Sequence, residues 1–260
     1  MRSLLLWVFL IPIVAISQNT DQESEVDNQE YVVFENVLLT PNPEHLKQFE
    51  EGLAAHNKQY HAEGPFGARV YFIASGPNSG RYIWSMGPLP WSAFDKRPHD
   101  KQGHDADWRD NVAAYILPES DQIYWRSHPD LSNFSQDFKI DKLLVDMYDV
   151  NRYKEADVIK SMEKATKVMQ EKFPELTYGV YTNELPNSKD GRDLAMVFFF
   201  EEMAWMGKDP QFIKAYEEVN GEGSFQSFIR EWGEITSGKQ SEIWIYQPEL
   251  SGLSAEVQTE

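Results

Sequence analysis

Apolar positions along the chain follow two rhythms, one of strand length and one with helical spacing, and the order in which they alternate occurs twice. Residues 32–40, VVFENVLLT, read as a strand. Asn42 and Pro43 supply a cap and a first-turn proline, after which Leu46, Phe49, Leu53, His56 and Tyr60 recur every three or four residues. Lys47, Glu50, Glu51 and Lys58 fill the rest of the circumference, so this spacing predicts a helix with one buried face, stopped by Gly64 and Pro65. ARVYFIAS (68–75) and RYIWSM (81–86) predict two strands around the turn GPNSG. DADWRDNVAAYI (105–116) predicts a second helix, and 122–128 a closing strand.

The same order returns with KLLVDMYDV (142–150), a helix over about 155–173 with Ile159, Met162, Thr166, Met169 and Phe173 on one face, and the strands TYGVYTNE and LAMVFFFEE. GSFQSFIREWGEI (223–235) predicts the second helix of this half, ahead of a last strand. IYWRSHPDLS at 123–132 and EIWIYQPELS at 242–251 share a Trp, a Pro, an acid, a Leu and a Ser in register. A duplicated βαββαβ unit accounts for this better than a solenoid. The expected organisation is a first ferredoxin-like repeat at 31–132, a linker at 133–139, a second repeat at 140–251 and a tail at 252–260. MVFFF at 196–200 does not alternate, and Ile123 and Trp125 flank Tyr124, so both faces of the central strands are expected to be covered. The predicted class is α+β: two fused ferredoxin-like units whose antiparallel sheets pack as an intramolecular barrel, with helices outside.

The ends and the composition narrow the setting. Arg2 precedes an apolar run from Leu4 to Ile16 that is too short for a span, and Ala15 and Ser17 suit a peptidase site, so residues 1–17 read as a signal peptide. Residues 18–30 read as a flexible acidic lead-in, and the protein as secreted or periplasmic. No later run reaches spanning length. With no cysteine, disulfides and thiolate chemistry are excluded, and a formal net charge of −18 argues against a nucleic-acid partner.

A βαββαβ unit whose sheet pairs with a second sheet resembles the dimeric α+β barrel superfamily, which includes cofactor-independent antibiotic-biosynthesis monooxygenases, haem-degrading monooxygenases and stress-responsive A/B barrel proteins. WSAFD at 91–95 is similar to the Trp, Ser and Phe pattern of the monooxygenases. The resemblance implies a pseudo-dimer within one chain, with a ligand cavity bordered by the third strand and second helix. In the haem-degrading members an Asn on the first strand, a Trp, and a His on the second helix line that cavity. Asn36 and Trp84 or Trp91 match the first two, while His104 lies just before the predicted helix rather than inside it.

The chemistry-bearing side chains concentrate in the first repeat, which holds all six histidines. Asn36, His56, Tyr60, Trp84, Trp91 and Trp108 are the candidate ligand-binding residues, the aromatic ones suiting a flat apolar molecule and equally able to be core fillers. His56, on the apolar stripe, reads as a hydrogen-bonded core histidine or as a base facing a bound phenol. His56 and His61 lie five apart, so on a continuous helix they would not co-ligate. His99, Asp100, His104, Asp105, Asp107 and Asp110 match no metal motif, and a loop whose Asp residues cap the next helix accounts for them. No metal site is therefore expected, and no cofactor other than the haem that the resemblance admits. GxSxG, Walker A, GxGxxG and HExxH patterns are absent. The expected function is binding of a small apolar or aromatic molecule in the N-terminal half of a monomer. Monooxygenase activity and a ligand-free interaction module are the alternatives.

Overall fold

The computed structural model describes residues 30–97, 103–134, 137–187 and 189–258. The first half contains β1 (Val32–Leu39), α1 (Leu46–Tyr60), β2 (Ala68–Ser75), β3 (Tyr82–Pro90), α2 (Trp91–Phe94), α3 (His104–Asn111) and β4 (Asp121–Ser127). A short β5 (Phe138–Lys139) leads to the second half: β6 (Lys142–Val150), α4 (Glu155–Lys172), β7 (Tyr178–Asn183), β8 (Leu194–Phe200), α5 (Phe212–Asn220), α6 (Ser224–Ile235) and β9 (Thr236–Tyr246). A final short strand, β10 (Glu256–Val257), pairs antiparallel with β5, so the predicted linker and tail meet in a small sheet of their own.

Eight strands close into an antiparallel barrel in the order β1-β3-β2-β9-β6-β8-β7-β4. Within each half the strands lie in the order fourth, first, third, second. The halves join where β2 pairs with β9 and β4 pairs with β7. This mixed α+β arrangement is consistent with a fused pseudo-dimer. Closure leaves no barrel strand with a free edge, and it explains the doubly apolar strands: one face turns to the lumen and the other to helices. On β1, Phe34 and Leu38 belong to the inner cluster, and Val37 and Leu39 to the outer one with Phe49 and Leu53 of α1. The second half repeats this, with Val158 and Met162 of α4 packed over Tyr178, Val180 and Leu194.

The observed β2 and β6 coincide with their predicted ranges. β9 begins six residues earlier than the apolar pattern suggested, because its polar start (Thr236 to Ser241) is held by the ladder to β6 and by bonds to Asp146 from Ser241 (2.6 Å) and Lys239 (2.7 Å). α5 was not predicted. Its Ala215 and Tyr216 are buried against Phe228 of α6, and the spacing of Phe212, Ala215, Tyr216 and Val219 was the available signal. The predicted 105–116 helix instead ends at Asn111 and tightens into a 3-10 turn at Ala113–Tyr115. Among the described residues no helix is long and apolar enough to cross a membrane.

Candidate functional site

The inner faces of both halves enclose a cavity of about 370 Å³. β1 contributes Phe34 and Asn36, β2 contributes Tyr71, and β4 contributes Trp125. From the second half come Tyr181, Val197 and Trp244. Phe134, Phe138 and Phe199 cover one end, where the β5–β10 sheet lies. Arg69 ties that sheet to β2 by donating from Nε to the Ser254 carbonyl at 2.8 Å. The opposite end is polar: Asn78, Arg192 and Glu242 stand beyond Asn36, Trp125 and Trp244. Glu242 is fully buried and accepts from Asn78 Nδ2 and Trp244 Nε1, both at 2.7 Å. Burial pushes the Tyr71 phenol up to about 12 and raises that of Tyr181 as well, so both stay neutral. The Asn36 Oδ1 is buried without a hydrogen-bond partner.

A second cluster lies on the outer face of the first half, between α1, α3 and the sheet. α1 ends at Tyr60, and His61 leaves the helix at φ −130°, ψ 22°, which turns its ring back toward His56. α3 begins with His104. The ring centroids of His56 and His104 are 4.8 Å apart, those of His61 and His104 5.3 Å. Every Nδ1 is engaged: His56 with Asp107 Oδ2 at 2.7 Å, His61 with the Phe66 carbonyl at 2.6 Å, His104 with Asp105 Oδ1 at 2.8 Å. Asp107 is itself fixed by Asn111 Nδ2 at 2.7 Å. Burial lowers the His56 pKa against the opposing bond to Asp107, and it lowers that of His61 to about 4. Trp84 and Trp108 wall the cluster, and Trp84 Nε1 donates to Asn57 Oδ1 at 2.9 Å.

No protein-family model and no curated protein matches the sequence. Solved structures do resemble it in shape. A proposed monooxygenase of Fusobacterium nucleatum superposes with a TM-score of 0.53 at 7% identity, covering 89% of this chain and 99% of that one. A mutant chlorite dismutase from Candidatus Nitrospira defluvii gives 0.51 at 11% identity over 85% and 93%. An anthrone oxidase-like protein gives 0.50 at 10% identity over 85% and 92%. The fold is the dimeric α+β barrel.

Within that fold the six candidate residues divide between the two faces of one sheet. Asn36 alone of the six lines the lumen. His56, Tyr60, Trp84 and Trp108 belong to the outer cluster, while Trp91 packs on Phe94 and Tyr124 at 5.5 and 5.0 Å between centroids. Asn36, Trp84 or Trp91, and His104 therefore do not converge on one molecule. The main cavity also lacks a fit for haem: among its described lining residues there is no His, Cys or Met, its tyrosines are held neutral, and Met147 lies at the polar end beyond Asn36.

Two expectations about the histidines change. His56 and His61 do meet, because the helix on which their separation was reckoned stops between them. Asp105 and Asp107 do not cap α3, whose N-cap is Gly103. They sit in its first turn and hold His104 and His56 instead. His99 and Asp100 lie outside the described residues, as do the expected signal peptide and nearly all of the acidic lead-in.

Proposed function

We propose that the chain is an exported, monomeric binding protein whose barrel lumen takes a small, flat, mainly apolar molecule carrying a hydroxyl. The observation that carries this reading is the unpartnered Asn36 Oδ1 in an aromatic-walled cavity of ligand size. A buried acceptor left unmade costs about 1–3 kcal/mol, and a ligand hydroxyl would restore the bond. The lumen draws on both halves, so the ligand would sit on the pseudo-dimer axis rather than in the N-terminal half alone. We take the halves to be copies of one unit, as their shared strand order and the matched 123–132 and 242–251 segments suggest.

The test is titration with 1-naphthol and with naphthalene, read by quenching of Trp125 and Trp244. Saturable binding is expected, with 1-naphthol preferred about tenfold, the worth of roughly 1.4 kcal/mol. Ala195→Phe, which fills the lumen, should abolish binding, and Asn36→Leu should remove the preference for the hydroxyl. Absence of saturable binding by either probe would count against the reading.

Oxygenase activity on such a ligand is the second reading, favoured by fold neighbours described as a monooxygenase and an anthrone oxidase-like protein. Its expected residues, Asn36, Trp91 and a His, are split between the two faces of the sheet, so it rests on fold alone. Quinone formation from bound naphthol under oxygen would support it.

A further inference from the structure

We propose that His56, His61 and His104 bind one divalent transition-metal ion on the outer face of the first half. One ligand atom of each lies within 4.8 Å of those of the other two, and His56 and His61 are buried.

The tautomers carry the argument. A carboxylate or a carbonyl faces each Nδ1, and those acceptors require Nδ1 to hold the proton. All three Nε2 atoms are then bare lone pairs. His61 Nε2 and His104 Nε2 stand 3.2 Å apart, and His56 Nε2 is buried with no partner. Moving a proton onto Nε2 of His61 or His104 would turn the corresponding Nδ1 lone pair toward the Phe66 carbonyl or Asp105. An added proton shared between His61 Nε2 and His104 Nε2 would satisfy that pair and leave His56 Nε2 bare, whereas one metal ion among the three nitrogens satisfies them together.

Two nitrogens of a tetrahedral zinc site, each about 2.0–2.1 Å from the metal, are about 3.3 Å apart, which the His61–His104 separation matches. Carboxylate or carbonyl partners behind each imidazole are the usual way of fixing ring orientation at metal sites, and here they are already in place. Three neutral nitrogen donors select zinc, copper, nickel or cobalt over magnesium and calcium. They leave a fourth position for water or a ligand, beside Tyr60 and Trp108. This site stands on the opposite side of the sheet from the lumen and does not depend on what the lumen holds.

The test is titration of the full chain, stripped with a chelator, with zinc and with cobalt(II). The expected result is one equivalent bound, visible d–d bands of a low-coordinate cobalt site, and a thermal midpoint that rises with zinc. His61→Gln and His104→Gln should each weaken zinc binding at least 100-fold with unchanged far-ultraviolet circular dichroism. Asp107→Asn should weaken it about 10- to 100-fold. His104 is only half-buried, so its variant remains informative if His61→Gln does not fold. No stoichiometric binding by the unmodified chain would overturn the proposal, as would affinity unchanged in His104→Gln. The first outcome would assign the His61–His104 contact to a shared proton, and the second would place the ion elsewhere.

Discussion

The Trp84 indole donates to Asn57 Oδ1 at 2.9 Å, and the same amide donates from Nδ2 to the Leu250 carbonyl at 2.7 Å. One fully buried side chain thus ties α1 to β3 and to the segment after β9. Asn57→Leu strands a donor and an acceptor at once, at about 1–3 kcal/mol each. Urea unfolding should show a loss of about 2–4 kcal/mol. A loss below about 1 kcal/mol would mean that water reaches the indole.

The repeated strand order, β2, β6 and the spans of α1 and α4 were legible because each depends on periodicity within one segment. The lumen position of Asn36 was also latent there, since it alternates with Phe34 and Leu38. Trp84 lies between the third strand and the second helix, as the resemblance implies, but on the face away from Asn36, because register is not local: Val37 pairs with Trp84, and Asn36 with Ser85, which sends the indole outward. The histidine cluster needed two facts that no short window contains. One is that α1 stops between His56 and His61. The other is that packing of α1 on α3 brings His104 beside them from 43 residues away in the chain.

That packing is tight at Gly52, where an added Cβ would lie 1.8 Å from the Asn111 carbonyl oxygen. Ala ordinarily favours a helix interior over Gly by about 1 kcal/mol. Here the obstacle is backbone, which cannot swing aside, so Gly52→Ala must push α3 away. We expect a net loss of about 1–3 kcal/mol, seen as a thermal midpoint lower by roughly 2–10 °C. Zinc affinity should fall too, because His104 travels with α3. A midpoint that rises would show that the two helices are not in contact at this point in solution.

Glu35 is 2% exposed and receives Arg97 Nη1 at 3.0 and 3.2 Å as well as Gln122 Nε2. Burial already raises its pKa, with Arg97 opposing that shift. Arg97→Met should therefore cost about 3–5 kcal/mol at pH 7, the usual result of leaving a buried charge unpaired. With the folded pKa above the unfolded one, the cost is present at high pH and disappears as the pH falls to about 4.5. Denaturation at pH 7 and at pH 4.5 checks both the size and the sign, and Glu35→Gln with Arg97→Met should recover most of the loss. A cost independent of pH would assign the effect to lost packing on Trp84, whose ring centre is 6.0 Å from the guanidinium.

The metal-free chain should lose stability in mild acid through the histidine cluster. His61 ionises at about 4 when folded, burial being the chief cause, with the His56 and His104 imidazoles and Arg97 pressing the same way and the Phe66 carbonyl opposing. An unfolded imidazole ionises near 6.5, so between these values the unfolded chain holds a proton that the folded chain refuses. Its contribution is complete above about pH 6.5 and is lost progressively as the pH falls to about 4, up to about 3 kcal/mol for the single group. Denaturant unfolding in the presence of a chelator should show this slope, and His61→Asn should flatten it. Saturating zinc should steepen it, since protons then compete with the ion for the same nitrogens. A flat profile over that range in the unmodified chain would mean that the folded cluster already carries a proton between His61 and His104, which would leave that pair no need of a metal.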